Sequence, residues 1–452
     1  MNPEALPRSQ PELVRAIGRW SMVALAVNSI LGSGIFGLPS VVARHVGRSS
    51  PQAVLLAGIA MAVVIACYAE VASQFTGTGG QYIYVRRAFG RFIGVQVGWM
   101  TLLGRLTACA AAVNLLVISL GEFWAQAQAP LPRLVVSSLF VGTLALANYR
   151  GVAQGALLSN VSVVAKLVPL AAVFVAGMIY LAIHPAVAPQ AATGNLDEWL
   201  EATLLLFFAY GGYEAMMNPM GEARDPRRDA PFALFVALLV VIVVYTGLQY
   251  VVVGAWPDAA GSERPLADVA QVMMGSAGAV LISIGALISV YGYLSANLLT
   301  GPRGVFALAE RGDFPRWFAA IHPRFRTPHV SIVVFALLVW AFALWGSFAW
   351  NVTLSAAARL FYYGAVCAAV PVLRRRQPRA ALFRVPGGPI LPALGVAICV
   401  ALLTRVDFSK SVIVLATILT AALNWWLVRS RGAAAEPSGA AGDVPLGTYE
   451  RE

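Results

Sequence analysis

Two clusters of residues in this 452-residue chain combine types that a plain membrane anchor avoids. Asn28, Ser29, Ile30, Ser33, Gly34 and Ile35 sit in the middle of the apolar run 20–43. Phe208, Ala209 and Gly211 lie in a second apolar run, where Gly212 and then the ionisable Glu214 follow. Three further charges, Arg105, Lys166 and Arg359, stand alone inside apolar stretches. None of these sets places a nucleophile beside a base. No HExxH, GxSxG or P-loop pattern occurs, and Cys67, Cys109, Cys367 and Cys399 have no metal-ligand spacing. No cofactor or metal is therefore expected, and the cysteines read as small apolar packing residues. The chemistry these residues suit is non-covalent. Glycine weakens a helix, and a helix broken inside hydrocarbon leaves N–H and C=O groups free to hold a ligand.

The first break suits an anion. Beyond it, Ser33, Gly34 and Ile35 start a new half-helix whose free N–H groups and positive dipole end would accept a carboxylate. At the second break, the carbonyls of Phe208, Ala209 and Gly211 would accept hydrogen bonds from an ammonium. Together the breaks would recognise the backbone of an amino acid and ignore its side chain. The competing reading is that the glycines only let helices pack closely.

Lys166 is one of two lysines in the chain, and it lies in the apolar stretch NVSVVAKLVPLAAVFVAG. A lysine in hydrocarbon costs about 2.5–3.5 kcal/mol, so it should face an interior cavity. There it is either a proton-coupling group or a fixed structural charge. Glu214 should pair with Arg105 or with Arg359, because an unpaired charge at this depth is expensive. The set is a gate whose partners exchange, a static salt bridge, or a site where one arginine meets an acidic substrate. Phe208, just before the second break, is a gate or an ordinary packing residue. Tyr291, Ser295 and Tyr362 are further candidates for the cavity wall.

The elements that must position these residues are membrane helices. Hydrophobic residues make up 59% of the chain, charged residues only 12%, and the mean hydropathy is +0.73. A soluble domain carries about 25% charged residues. Spans of roughly 20 residues are expected near 20–43, 52–75, 93–123, 133–148, 156–183, 198–219, 230–255, 270–300, 329–347, 351–373, 389–405 and 411–429. The first has no cleavage site of small residues and reads as a retained helix. Of the 32 Lys and Arg, 23 fall in the even-numbered loops and the two tails, six in the odd-numbered loops and three inside spans. That asymmetry puts both termini in the cytoplasm. The net charge of +11 is thus a topology signal and not a nucleic-acid footprint. The tail 430–452 is low in complexity and reads as disordered. The broken spans are the first and the sixth, as expected if two five-helix halves repeat with inverted topology.

Several runs carry a resemblance. They are GSGIFGLP at 32–39, YAEVASQFTGTGGQYIYVRRAFG at 68–90, GW at 98–99 and FFAYGGYE at 207–214. GEARDPRRDAP at 221–231, PRGVFALAERGDFP at 302–315 and the Thr327–Pro328 pair continue it. In these the chain resembles the amino acid–polyamine–organocation (APC) superfamily of permeases, across spans one to nine in order and more weakly beyond. The resemblance implies an all-α membrane protein with 12 transmembrane helices in a LeuT-like arrangement. The tail 1–19 would precede a first repeat at 20–183, a second inverted repeat at 198–373 and two extra helices at 389–429. It also implies that Lys166 occupies the region where sodium-coupled relatives hold a sodium ion. There its ammonium would bond carbonyls of the broken first helix and of span eight. Glu70, in the YAE motif, is expected to be structural.

The function expected is amino acid transport across the inner membrane by alternating access, without sodium. Proton symport and obligatory exchange both remain open. The expected partners are a small amino acid, the lipid bilayer and protons, with no nucleic acid. An enzyme would need reactive groups at the midplane. A nutrient sensor would normally add a soluble signalling domain.

Overall fold

The computed structural model describes residues 17–75, 79–151, 156–184, 194–217, 220–256, 258–378 and 380–429. Most of both tails, 1–16 and 430–452, lies outside the described residues, as does the end of the expected sixth span at 218–219. The described part is helical throughout, with one isolated β-bridge.

The expected first span is two helices, α1 (Arg19–Ile30) and α2 (Gly34–Val46), separated at Leu31–Ser33. Next come α3 (Ser50–Ala72), the short α4 (Gly80–Phe89), α5 (Arg91–Leu120), α6 (Pro130–Tyr149) and α7 (Ala156–Ile183). Helix α8 (Leu196–Tyr210) starts at a capping box, with Asn195 and Glu198 each bonding the other's backbone N–H. It stops at Gly211 and Gly212, the latter at φ 109°, a region that favours glycine. The chain does not resume as the α-helical half expected to 219. It continues in 3₁₀ turns at Tyr213–Met217 and Met220–Glu222. Helix α9 (Pro226–Ala255) follows, then α10 (Pro265–Glu310), interrupted at Gly275. The series ends with α11 (His329–Trp345), α12 (Phe348–Arg376), α13 (Ile390–Leu403) and α14 (Phe408–Val428).

Eight of the helical segments are long and apolar enough to cross a membrane, and α11 and α13 are shorter apolar helices. Burial sorts them. The most apolar stretch of α5 is 78% buried, whereas those of α6 and α14 are 17% buried. Helix α5 is therefore central, and α6 and α14 turn Leu139, Leu146, Leu419 and Trp426 outward, as lipid-facing helices do. Packing joins α5 to α12, α3 to α9, α7 to α10 and α2 to α8 around one continuous apolar core.

Two buried acids brace the end of the bundle that carries Ile17 and the loops after α3 and α10. Glu70 accepts from Nε and Nη2 of Arg374, both at 2.6 Å, and from the N–H of Val385 at 2.8 Å. Arg374 completes its set by donating to the carbonyls of Gly388 and Val385. Asp313 accepts from Arg86 at 2.8 Å, from Arg91 at 2.6 Å and from the Tyr82 hydroxyl. At the same end the segment leading into α1 is tied down. The Ile17 N–H donates to Glu222 and the Arg224 N–H donates to Ile17, while Arg19 pairs with Asp229 at 3.3 Å.

Candidate functional site

The two breaks lie against each other in the middle of the bundle. A β-carbon built on Gly34 would stand 3.0 Å from Cα of Ala209, and one on Gly212 would collide with the carbonyl oxygen of Ser29. The second contact requires glycine, and the first leaves a side chain at residue 34 little room. The first also redirects the expectation for Gly34, whose missing side chain faces α8 and not an open ligand space. A cavity lined by Gly34, Ile35, Ala209, Tyr245 and Gln249 has room for about one water. The breaks are thus shut on one another in this conformation.

At the first break, Gly32 turns back to donate to the carbonyl of Ile30 at 2.7 Å. Ser33 is buried at the start of α2 and makes no side-chain cap. The N–H groups of Gly34, Ile35 and Phe36 find no backbone acceptor among the described residues. The carbonyl side of the same break is occupied by Lys166. Its Nζ donates to the carbonyls of Asn28 and Leu31, each at 3.0 Å, with the side chain buried. The expected second anchor on span eight is absent among the described residues, where both of the ammonium's hydrogen bonds go to the first break. Asn28 leaves its side-chain Oδ1 without a donor. The Ser29 hydroxyl donates to the carbonyl of Leu25 at 2.7 Å, inside its own helix.

At the second break the carbonyls are less open than the sequence suggests. Phe208 accepts from the N–H of Gly211 at 3.1 Å, and Ala209 accepts from the Tyr245 hydroxyl at 3.2 Å. That hydroxyl also lies 3.1 Å from the carbonyl of Ile30, so one tyrosine of α9 bridges both breaks. The glycine surface at Gly211 is covered by the guanidinium of Arg359, which a β-carbon there would strike.

Of the two partners expected for Glu214, the structure places Arg359 beside it, with Nη1 3.5 Å from Oε1 and both side chains 8% exposed. Among the described residues Arg105 makes no ion pair with Glu214. Its guanidinium comes within 4.0 Å of the β-carbon position at Gly304 in α10. Glu214 also accepts from the N–H of Gly212 at 2.9 Å, from Tyr362 at 2.9 Å and from Tyr363 at 3.2 Å. Tyr213 and Tyr363 stack beside it, and Tyr68 meets both edge-on. Arg359 lies over the face of Phe208 at 5.4 Å.

Two of the wall candidates shift. Tyr362 joins the cluster, but Tyr291 packs edge-on against Phe140 of α6, away from the breaks. Tyr293 takes the position near the first break, with its ring 3.8 Å from the β-carbon position at Gly32. Ser295 is buried, with no hydrogen bond to either break among the described residues. Tyr245, Tyr293 and Tyr363 were not expected from sequence. Each is a tyrosine in an apolar helix, and the only usable signal was that a buried hydroxyl needs a partner.

These features define a multi-pass helical membrane protein with a closed polar site between two broken helices. Comparison with known proteins agrees. Residues 17–425 match the amino acid permease family, and the chain belongs to it. An uncharacterized transporter of Mycobacterium tuberculosis is 30% identical over 412 residues, covering 89% of both chains. A serine/threonine exchanger of Bacillus subtilis is 28% identical over 401 residues, with 85% of this chain and 89% of the relative covered. A branched-chain amino acid permease of the same organism is 26% identical over 433 residues, with 89% and 90% covered.

Proposed function

We propose that the chain carries an amino acid between the two breaks, without sodium and by alternating access. The observation that carries this reading is the bonding of Lys166 to the carbonyls of Asn28 and Leu31. A tethered ammonium there does what a bound cation would do, holding the first break open as a helix N-terminus for a carboxylate. The α-carboxylate would meet the N–H groups of Gly34, Ile35 and Phe36. The ammonium would meet Asn28 Oδ1 and the carbonyls at Phe208, Ala209 and Gly211, once opening frees them from their internal partners. The charge asymmetry of the loops supports a cytoplasmic position for both termini in a cytoplasmic membrane. The overall plan would be the five-plus-five inverted repeat followed by two helices.

The coupling we favour is proton symport, in which Lys166 binds and releases the proton and so grips or frees the first break. Obligatory exchange is the second reading, supported by the serine/threonine exchanger among the relatives. Purified protein in liposomes tests both. Initial uptake of an amino acid should be unchanged when choline replaces sodium on both sides, and a large loss would refute the sodium-independent reading. A pH gradient should drive net uptake in the wild type but not in Lys166→Ala. Fast exchange with internal substrate and no net uptake at any gradient would decide for the exchanger, with Lys166 as a latch.

A further inference from the structure

The ion pair at the second break is unequal. Glu214 is satisfied by three neutral donors, the Gly212 N–H and the hydroxyls of Tyr362 and Tyr363. Arg359 is not satisfied. It is 6% exposed, yet its Nε and Nη1 have no hydrogen-bond acceptor. Nη1 stands 3.5 Å from the carboxylate but is not directed into a hydrogen bond with it. A buried cation with two unused donors is complementary to a further carboxylate, because hydrogen bonds between a guanidinium and a carboxylate are charge-assisted.

The position of that guanidinium matters. It rests on Gly211 and on the face of Phe208, at the break of α8. The N–H groups of α2 begin at Gly34, which touches Ala209, two residues before Gly211. Two separate anion-seeking sets, the half-helix N-terminus and the guanidinium, therefore meet α8 within two residues of each other, at Ala209 and Gly211. Asn28 Oδ1, near the end of α1, is an unused acceptor that suits an ammonium. One amine and two carboxylates describe an acidic amino acid.

The geometry points to Arg359 as the specificity-determining residue of this site, binding the side-chain carboxylate of an acidic amino acid such as glutamate or aspartate. This assignment rests on the amino acid reading above and adds the substrate class to it. The α-carboxylate would take the N–H groups of α2, and the second carboxylate would accept from one of the unused donors of Arg359, Nε or Nη1. Neutral amides of the same shape would leave the unused donors of Arg359 without a carboxylate acceptor.

The test is binding to the purified full-length protein, followed by uptake into liposomes, with L-glutamate and L-aspartate set against L-glutamine and L-asparagine. At least one acid should bind about tenfold or more tightly than its amide, as expected for a charge-assisted pair replaced by a neutral one. In Arg359→Gln that ratio should fall to near one. Arg359→Lys keeps the charge but not the planar, directed donors of a guanidinium, and should lower the ratio. The wild-type comparison of acid with amide needs no variant to fold. Tight binding of an amide with no preference for its acid would overturn the assignment and leave amino acid transport standing. Persistence of the acid preference in Arg359→Gln would overturn it equally. If none of the twenty amino acids bound, the underlying amino acid reading would fall, and this assignment with it.

Discussion

Two arginines on the same helix, α12, meet buried acids in opposite ways. Arg374 grips Glu70 with two nitrogens at 2.6 Å and gives its remaining hydrogen bonds to the carbonyls of Gly388 and Val385. Fifteen positions earlier, Arg359 stands beside Glu214 with Nε and Nη1 unused. The first arrangement fixes the end of α3 and the loop after α12 to one another. The second stores an unmet demand at the break of α8. Charges that only hold a fold can be satisfied once and for all. Charges that must receive a ligand have to keep donors in reserve, at a loss of stability.

The widest gap between the two regions should appear when the breaks themselves are altered. Gly212→Ala would place a β-carbon against the Ser29 carbonyl at a backbone conformation that alanine resists. Liposome uptake by this variant should fall more than about a hundredfold, a loss of near 3 kcal/mol in transition-state terms. Uptake within a few-fold of wild type would show that the breaks need not touch. Next in size is Lys166→Ala, which strips the donor from two carbonyls, at about 1–3 kcal/mol for each group left unpaired. Uptake should fall at least about tenfold. Lys166→Arg should not restore its pH dependence, because a guanidinium keeps its proton.

The brace should respond through stability instead. Asp313→Asn removes the carboxylate that Arg86 and Arg91 share. Those arginines are 32% and 22% exposed, so water recovers part of the loss, and about 3 kcal/mol is the expected scale. The melting temperature should drop by several degrees, with transport per folded molecule held within a few-fold. A full loss of transport at unchanged melting temperature would move this cluster into the working part of the protein. The smallest effect belongs to Arg19→Ala. Its pair with Asp229 has the arginine 55% exposed, and such pairs contribute about 0–1 kcal/mol. The melting temperature should hardly move. A large change in uptake would make the tie between α1 and α9 part of the transport cycle.

The breaks were legible because their residue types conflict with their setting. Asn28, Gly32, Ser33, Gly34, Gly211 and Gly212 interrupt runs that otherwise read as continuous apolar helix. Lone charges such as Lys166 and Arg359 stand out for the same reason. Helical phase was not legible. Tyr291 and Tyr293 differ by two positions, which turns them about 200° apart on a helix, and only the second reaches the first break. Tyr245 lies in a nearly unbroken apolar stretch of α9, where nothing in the sequence marks the face that bridges both breaks. Arg105 and Arg359 were equivalent partners for Glu214 until packing of α12 against α5 placed one of them. The end of α-helix at Tyr210 was foreseeable from Gly211 and Gly212, but the 3₁₀ path beyond it depends on the bonds Glu214 makes to Gly212, Tyr362 and Tyr363.

The contrast between the two arginines is tested most directly by melting temperature and acid-over-amide preference, measured side by side on Arg374→Gln and Arg359→Gln. Arg374→Gln should lose several degrees, since it leaves the fully buried Glu70 with little beyond the Val385 N–H, and should keep the substrate preference of the wild type. Arg359→Gln should lose less stability, since Glu214 retains its three neutral donors, and should lose the preference for acid over amide. The reverse pattern, with Arg359→Gln as destabilised as Arg374→Gln and its substrate preference intact, would show that both arginines serve only the fold.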